Sequence, residues 1–368
     1  MDFPRISRLT RTTLVVALLL SAVSCLDKIN LPAPAGTADA LVIQAKLLKG
    51  EPSVLRVQIN RLFDFTAGTT LPVNVTLVEI EDEQGVVVRV PEAALGVYQL
   101  VLPDDAPQLE VAFGKQYRLH VIARDGRDYV TGFEPLWDVP EPESIRLDTI
   151  QIPVVNEIGE FDVIDRFQFS ISTPIRVPGA AEKSYLKWDV ERTFKVTDTP
   201  LQPTTPVKTC YVTQNVVGSN LNVLNGNDFS AEAVTDIPIS ESAITFVYAE
   251  GLYLTVYQQS LSATAYEYWE QITQLVERSG NMFEPPAGKI ATNFTNTTDP
   301  DDQVYGFFYA TTQDTIRYYV DPENLNLPPA CPPPGGLLNQ GGGCAVPLCC
   351  NCLSEPGSTT TKPSFWTE

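Results

Sequence analysis

Apolar and polar residues alternate along much of the first third of the chain, and short turn signals separate these runs. The turn signals fall at 83–85, 95–96, 103–105 and 124–126. A period of two places one side of each run on a buried sheet face. The alternating apolar positions are Leu55, Val57, Ile59, Val73, Val75, Leu77, Tyr117, Leu119, Val121 and Ala123. Residues 38–143 are therefore predicted to form a β-sandwich of Ig-like or transthyretin-like type.

Strand patterns resume after the proline-containing stretch 139–143. The predicted strands cover 164–173, 185–196, 210–217, 245–256 and 304–311. They predict a second β-sandwich over residues 144–328. The remaining residues, 329–368, are rich in cysteine, proline and glycine and are predicted to be a separate tail.

One segment of the second half has helical rather than strand periodicity. Its apolar stripe is Ala265, Tyr268, Trp269, Ile272, Leu275 and Val276. This spacing predicts one amphipathic helix over 264–279 that packs on the second sandwich. Ser262 or Thr264 can cap its start, and Gly280 can close it in a left-handed conformation.

The N-terminus has the features of an export signal. Three arginines precede an apolar core at 14–20, and small residues then lead to Cys25. This order predicts a lipoprotein signal peptide over 1–24, cleavage before Cys25 and acylation of its thiol. Ala22 stands where such signals prefer leucine, and an ordinary signal that releases a soluble periplasmic protein is the alternative. Residues 25–37 are predicted to be a tether between lipid anchor and folded chain.

Six cysteines remain beyond the lipidation candidate: Cys210, Cys331, Cys344, Cys349, Cys350 and Cys352. An even number in an exported chain favours disulfides. The tail lacks the paired spacing that brings two thiolates to one zinc ion, and its prolines and glycines do not suit a redox helix. Disulfides are therefore predicted, with metal binding and unpaired thiols as the alternatives. A bridge from Cys210 would staple the tail onto the second domain, although the sequence leaves the pairing open.

The charge and the residue types restrict the function further. The net charge is −20, and losing residues 1–24 makes it two units more negative, which argues against nucleic acid and anionic lipid as partners. His120 is the only histidine, and it falls on the predicted outer face of a strand. A histidine-based catalytic site is therefore not predicted, and neither is a cofactor or metal.

Three weaker signals leave alternatives open. The acidic pairs Glu79/Glu81 and Asp301/Asp302 are candidates for a two-carboxylate hydrolase. The acidic stretches 125–128 and 299–302 are candidates for calcium binding, or plain turns.

An aromatic row on one predicted strand is the third signal. Tyr305, Phe307 and Tyr309 face one way, either to stack on a sugar or to pack in the core.

Several short motifs occur in a fixed order along the chain: Pro72-Val73, Gly96–Tyr98, Gly114–Tyr117, Gly126–Tyr129, Cys210-Tyr211, Tyr266, Trp269, Gly280, Phe283, Pro285-Pro286, Asn293, Gly306–Phe308 and Pro363–Trp366. Together they resemble a family of bacterial lipoproteins, the domain of unknown function family DUF4249. The resemblance covers nearly the whole mature chain. Thr292 departs from it, since the family usually places glycine there.

The resemblance implies an outer-membrane lipoprotein of the kind often encoded beside TonB-dependent transporters of the SusC/SusD type. It implies no catalytic residues. We therefore expect a non-enzymatic, lipid-anchored accessory subunit with a TonB-dependent transporter as its partner. The alternatives are a free-standing surface binder of glycan or peptide and, third, the two-carboxylate hydrolase.

Overall fold

The structure is a computed structural model, and it describes residues 40–62, 71–103, 108–155, 159–202, 204–216, 222–276, 290, 292–325, 327–331 and 346–367. The predicted signal peptide, Cys25, the tether, Gly280 and Cys344 lie outside these residues. Within them, no helix has both the length and the apolar character that crossing a membrane requires.

The chain is mainly β, as predicted. The strands are β1 Leu41–Lys49, β2 Ser53–Arg61, β3 Leu71–Pro72, β4 Leu77–Asp82, β5 Val87–Arg89, β6 Glu92–Ala94, β7 Val97–Leu102, β8 Gln116–Ile122, β9 Asp128–Thr131, β10 Glu134–Pro135, β11 Ser144–Val155, β12 Phe161–Pro174, β13 Tyr185–Thr197, β14 Thr209–Asn215, β15 Asn222–Asn225, β16 Ala233–Ala243, β17 Leu252–Leu261, β18 Phe294–Asn296, β19 Val304–Tyr305, β20 Phe308–Val320 and β21 Ser358–Thr359. The α-helices are α1 Ala263–Val276 and α2 Pro347–Cys350. Short 3₁₀ turns cover Gly226–Asp228, Phe246–Tyr248, Pro322–Asn324 and Cys352–Ser354.

A 12-stranded sheet runs through both halves of the chain, in the order β21-β14-β13-β17-β20-β1-β2-β7-β6 with β15, β19 and β3 attached at its sides. Strand β20 joins the halves. Its first residues pair in parallel with β1, for example Ala45 with Phe308, and its later ones pair antiparallel with β17, for example Leu252 with Val320. One strand thus belongs to the sheet in both halves of the chain.

The first core lies between this sheet and a second one ordered β18-β9-β8-β4-β5, with β10 attached to β8. The alternation predicted over 55–59 and 117–123 is confirmed, since all of its apolar members are buried. The inward face predicted over 73–77 is partly wrong. Val75 is buried, but the strand begins at Leu77 and its inward residues are Val78 and Ile80. The alternation of inward and outward side chains therefore shifts by one residue at Thr76.

The second core lies between the large sheet and a third sheet ordered β11-β12-β16. Phe169 on one side and Trp188 and Val256 on the other belong to this core. Stacked sheets in both halves agree with the predicted fold class, whereas the Ig-like or transthyretin-like detail stays a prediction. The predicted boundary at 143/144 is crossed in space, because Phe294 and Phe308 pack in the first core.

Two predicted strands are interrupted by glycines with positive φ. The strand predicted over 245–256 begins only at Leu252, after a 3₁₀ turn and Gly251, whose φ is +99°. The strand predicted over 304–311 is broken at Gly306, whose φ is +94°. A Cβ there would lie 2.1 Å from the carbonyl oxygen of Ile43, so only glycine lets β1 approach so closely.

Helix α1 begins at Ala263, one residue before its predicted start, and its predicted end lies outside the described residues. Ser262 provides the cap, since its Oγ accepts the backbone N–H of Ala265 at 3.0 Å. The helix contacts β13, β15 and β17, as predicted. It also stacks Tyr268 on Phe307, with ring centroids 4.7 Å apart.

Candidate functional site

A two-stranded ribbon projects from the third sheet. Strands β11 and β12 pair over their whole length, from Ser144 with Ser172 to Val155 with Phe161, but β16 accompanies β12 only from Arg166 onward. Residues 151–155 and 161–165 therefore form a ribbon without a third strand, which we call the β11–β12 ribbon. A two-stranded segment of this kind has little stability of its own in water.

The β11–β12 ribbon exposes large apolar side chains next to acidic ones. Phe161 is 85% exposed, Val155 61% and Val163 57%. Asp162 and Asp165 lie on the same strand and are exposed as well. An apolar surface that the fold leaves uncovered beside polar residues is typical of a protein–protein contact.

A second candidate lies on the outer face of the large sheet, where α1 covers it. Lys187 is 3% exposed, bonds Asp189, and places its Nζ 4.6 Å from the ring centroid of Trp269. Gln259 donates to the other oxygen of Asp189. Burial opposes ionisation of Asp189, but the charge and hydrogen bond of Lys187 hold its pKa below the usual range.

A buried carboxylate ties α1 to the first sandwich. Glu134, 3% exposed, accepts hydrogen bonds from Ser262 Oγ at 2.6 Å, Thr264 Oγ1 at 3.0 Å and Asn293 Nδ2 at 3.1 Å. Burial raises the pKa of Glu134 even though these donors favour the ionised form. Asn293 also pairs with both backbone groups of Phe308, so this cluster joins helix, strand β10 and strand β20.

The C-terminal tail covers the other end of the same outer face. Disulfides connect Cys210 with Cys352 and Cys331 with Cys349, and Cys350 is disulfide-bonded as well. The predicted formation of disulfides is thus confirmed, and the pairing, which the sequence left open, includes a bridge from Cys210 to the tail. Strand β21 pairs with β14 beyond the bridge.

Aromatic rings complete the tail contact. Trp366 is buried between Tyr211 and Tyr253, with ring centroids 5.0 and 5.1 Å away. The guanidinium of Arg317 lies 4.5 Å from the ring centroid of Phe365.

A cavity of about 510 Å³ opens between the tail and the second sandwich. Its apolar wall includes Phe194, Phe246 and Leu348. Its polar side is a chain in which Arg192 donates to Gln214 at 2.8 Å and Gln214 donates to Glu355 at 2.9 Å. A small ligand with an apolar body and one polar group fits such a cavity in size and chemistry.

The predicted aromatic row is covered by protein rather than by solvent. Phe307 and Tyr309 are buried against α1, and Tyr305 is half-buried with its hydroxyl donating to Gln303. The core alternative is therefore confirmed for Phe307 and Tyr309.

The predicted acidic pairs are engaged in ordinary surface contacts. Glu81 forms an ion pair with Arg118 at 2.7 Å, and Glu79 lies 3.6 Å from His120. His120 also bonds Asp128, at 2.8 Å between Nε2 and Oδ1. Its side chain is only 29% exposed, so it is less solvated than its outer-face position predicts.

The two acidic turns meet through Asp302. Its carboxylate accepts from Tyr129 at 2.8 Å and from Asn296 at 3.0 Å, and it lies 3.5 Å from Arg127. Burial opposes ionisation, yet these donors lower the pKa of Asp302. No group of three potential metal ligands occurs within the described residues.

Sequence reasoning missed the β11–β12 ribbon and both polar clusters. For the ribbon a signal was present, because the apolar run begins at Phe161 rather than at the predicted 164 and continues past the sheet. For Lys187 and Glu134 there was none, since a single charged residue on a strand has the same pattern whether α1 covers it or water does.

Comparison with known families gives one match. The model of a domain of unknown function, DUF4249, matches residues 27–317, which include the first core, most of the second core and α1 but not the disulfide-tied tail. No curated protein matches the chain.

Proposed function

The chain belongs to the DUF4249 family, a domain of unknown function. From its own residues, together with what the family resemblance implies about partners, we propose that it is a non-enzymatic, lipid-anchored accessory subunit of a TonB-dependent uptake system in the outer membrane. Cys25 carries the anchor, and the folded part binds the transporter through the β11–β12 ribbon.

The exposed apolar side chains of the β11–β12 ribbon are the observation that carries this proposal. Phe161 and Val163 share one face of the ribbon with Asp165, and Asp162 lies between them on the opposite face, so the surface fits a protein groove with an apolar floor and basic residues at its rim. An anionic lipid surface would repel the same carboxylates. A protein partner is therefore favoured over the membrane as the occupant of this surface.

The sequence before the folded part supports the anchoring step. Small residues and then Cys25 follow the apolar core of the signal, and 25–37 give enough chain for a tether. Stable anchoring requires more than one acyl chain, which acylated N-terminal cysteines supply. Anchoring confines the subunit to the membrane that holds the transporter, which raises their effective concentration.

Affinity purification of the tagged protein from detergent-solubilised membranes tests the proposal. Wild type is compared with Cys25→Ala, with Phe161→Asp and with Phe229→Asp, a matched change at a side chain that is 37% exposed elsewhere. We expect a stoichiometric TonB-dependent transporter with wild type and Phe229→Asp. Loss of a central apolar contact costs 2 kcal/mol or more, so Phe161→Asp should recover at least about 30-fold less transporter.

The controls separate the two parts of the proposal. Cys25→Ala should be recovered in the soluble fraction with little transporter. Membrane-bound wild type recovered alone would contradict the accessory-subunit function, and wild type in the soluble fraction would contradict the anchor.

A free-standing binder is the second candidate, and the 510 Å³ cavity favours it. The burial of Phe307 and Tyr309 removes the aromatic row as a glycan platform. Leu348→Trp, which fills the cavity, should abolish binding of any small glycan or peptide that calorimetry detects with wild type. Unchanged binding would place that ligand elsewhere.

A further inference from the structure

Two lysines, Lys46 and Lys187, lie near the carboxylate of Asp189 on the outer face of the large sheet, below α1. Lys46 on β1 is opposite Arg56 on β2 and Tyr309 on β20 in the strand register. Lys187 on β13 lies close to Tyr309 as well. Its ammonium is over the ring of Trp269, and that ring contacts Tyr309 edge-on, with centroids 6.0 Å apart. This excess of positive charge is unusual in a chain with a pI near 4.4.

Both oxygens of the Asp189 carboxylate already accept hydrogen bonds. One accepts from the ammonium of Lys187 and the other from the side-chain amide of Gln259. Its charge still acts on Lys46, but within the described residues the Lys46 ammonium forms no hydrogen bond or ion pair. Burial accordingly lowers the pKa of Lys46, with Lys187 and Arg56 adding to the effect.

A second donor in this cluster also lacks an acceptor. The indole N–H of Trp269 is buried and has no hydrogen-bond partner among the described residues. An unpaired buried donor is destabilising, so native proteins usually supply a partner for it. The cluster thus offers unpaired donors and surplus positive charge together, while 45% of the Asp189 side chain is open to solvent.

We propose that Lys46, Lys187 and Trp269 form a binding site for the oxyanion group of a small ligand, a carboxylate or a phosphate. Such a group accepts from the Lys46 ammonium and the indole N–H and balances the cationic excess. A cation would meet repulsion here, and a neutral sugar would leave the ammonium uncompensated. The site lies on a different sheet from the β11–β12 ribbon and does not depend on the proposed transporter contact.

Trace labelling with acetic anhydride, read residue by residue by mass spectrometry, tests the site. The intact protein is labelled at pH 8 in sodium acetate, sodium phosphate or sodium chloride at equal ionic strength. Lys49 is the internal control, since it lies on the same strand, above Phe113. At ten times its dissociation constant a bound anion leaves about one tenth of the sites free, so labelling of Lys46 should fall about tenfold while that of Lys49 is unchanged.

Comparison of the three salts identifies the chemical class of the ligand, and the two variants test the site itself. Protection by acetate alone assigns a carboxylate ligand, and protection by phosphate alone a phosphate. Asp189→Asn, which removes the competing charge, should lower the anion concentration needed, and Lys187→Gln should raise it. Protection no greater than in chloride, equal protection of Lys49, or an affinity that neither variant changes would each overturn the site.

Discussion

The two ends of the outer face of the large sheet are covered in similar ways but held by different forces. At one end α1 places Trp269 on the sheet, and at the other the tail places Trp366 there. Within the part of the chain that the structure describes, both indole N–H groups are buried without an acceptor, and each end has a cation against an aromatic ring. The Cys210–Cys352 disulfide ties the tail to the second sandwich and Cys331–Cys349 closes a loop within the tail, whereas hydrogen bonds to Glu134 and the Lys187–Asp189 pair hold the helix end.

This difference follows from how much apolar surface the tail and α1 each bury against the sheet. On the outer face the tail contributes a two-residue strand and one aromatic cluster, and the Cys210–Cys352 bridge holds its other buried residues, Leu348 and Cys349 among them, in the second core. Helix α1 buries Ala265 and Tyr268 and is capped by residues bonded to the first sandwich. The stability of the tail contact should therefore depend on the redox state of its disulfides, and that of the helix contact on charge and pH.

The largest effect should come from removing the long-range bridge. The Cys210→Ser/Cys352→Ser variant loses a loop closure across 142 residues, which the chain-entropy model values at about 5 kcal/mol. Cys331→Ser/Cys349→Ser removes a closure across 18 residues and should cost about 3 kcal/mol. Urea denaturation measures both. Equal losses, or a larger loss in the second variant, would contradict the assignment of the first bridge as the main tie.

The next effect should come from Glu134→Ala at the helix end. The substitution leaves Ser262, Thr264 and Asn293 without their shared acceptor, and the free energy of unfolding should fall by about 3 kcal/mol. Limited proteolysis should then cut near α1 before it cuts the tail. Glu134→Gln is the isosteric control and should lose less. Earlier cleavage of the tail than of α1 would contradict the role of Glu134 at the helix end.

The same residue gives the helix end a pH dependence. Burial raises the pKa of Glu134 above its usual value of 4.5, so its stabilisation is complete below about pH 4.5 and declines as the pH rises through the raised value. The advantage of wild type over Glu134→Gln in the free energy of unfolding should therefore shrink from pH 4 to pH 7. An advantage that grows with pH would reverse the sign and refute the assignment.

A smaller loss is expected for Lys187→Gln. Asp189 then loses its ion-pair partner, but its side chain is 45% exposed, and partial solvation limits the cost to about 1–2 kcal/mol. Thermal unfolding followed by circular dichroism measures it. A neutral substitution would show that the pair does not hold the helix end.

Arg317→Gln at the tail end should have the smallest effect. Arg317 is exposed, and its contact with the ring of Phe365 is worth about 0.5 kcal/mol. The same unfolding assay compares it directly with Lys187→Gln. A larger loss than at Lys187 would mean that noncovalent contacts, rather than disulfides, secure the tail.

The sequence predicts the individual strands better than it predicts which strands pair with each other. Alternation at Leu55, Val57 and Ile59 identifies both the strand and its buried face, because sheet periodicity is a local property. The parallel pairing of β1 with β20 joins residues more than 260 positions apart, and no local pattern encodes it. Glycine interruptions such as Gly306 depend on how closely another strand approaches.

The sites were less predictable for the same reason. Disulfides could be anticipated from the even number of cysteines beyond Cys25, but the pairing of Cys210 with Cys352 could not. The environments of Lys46, Lys187 and Glu134 could not, since each depends on α1 and distant strands converging.

Photocrosslinking in intact cells tests the proposed docking most directly. A photoreactive phenylalanine analogue is placed at Phe161 in the β11–β12 ribbon or, as the control, at Phe229, and adducts are identified by mass spectrometry. The account predicts one dominant adduct with a TonB-dependent transporter from position 161 and none from position 229. Adducts of equal yield at both positions, or no transporter adduct from position 161, would contradict it.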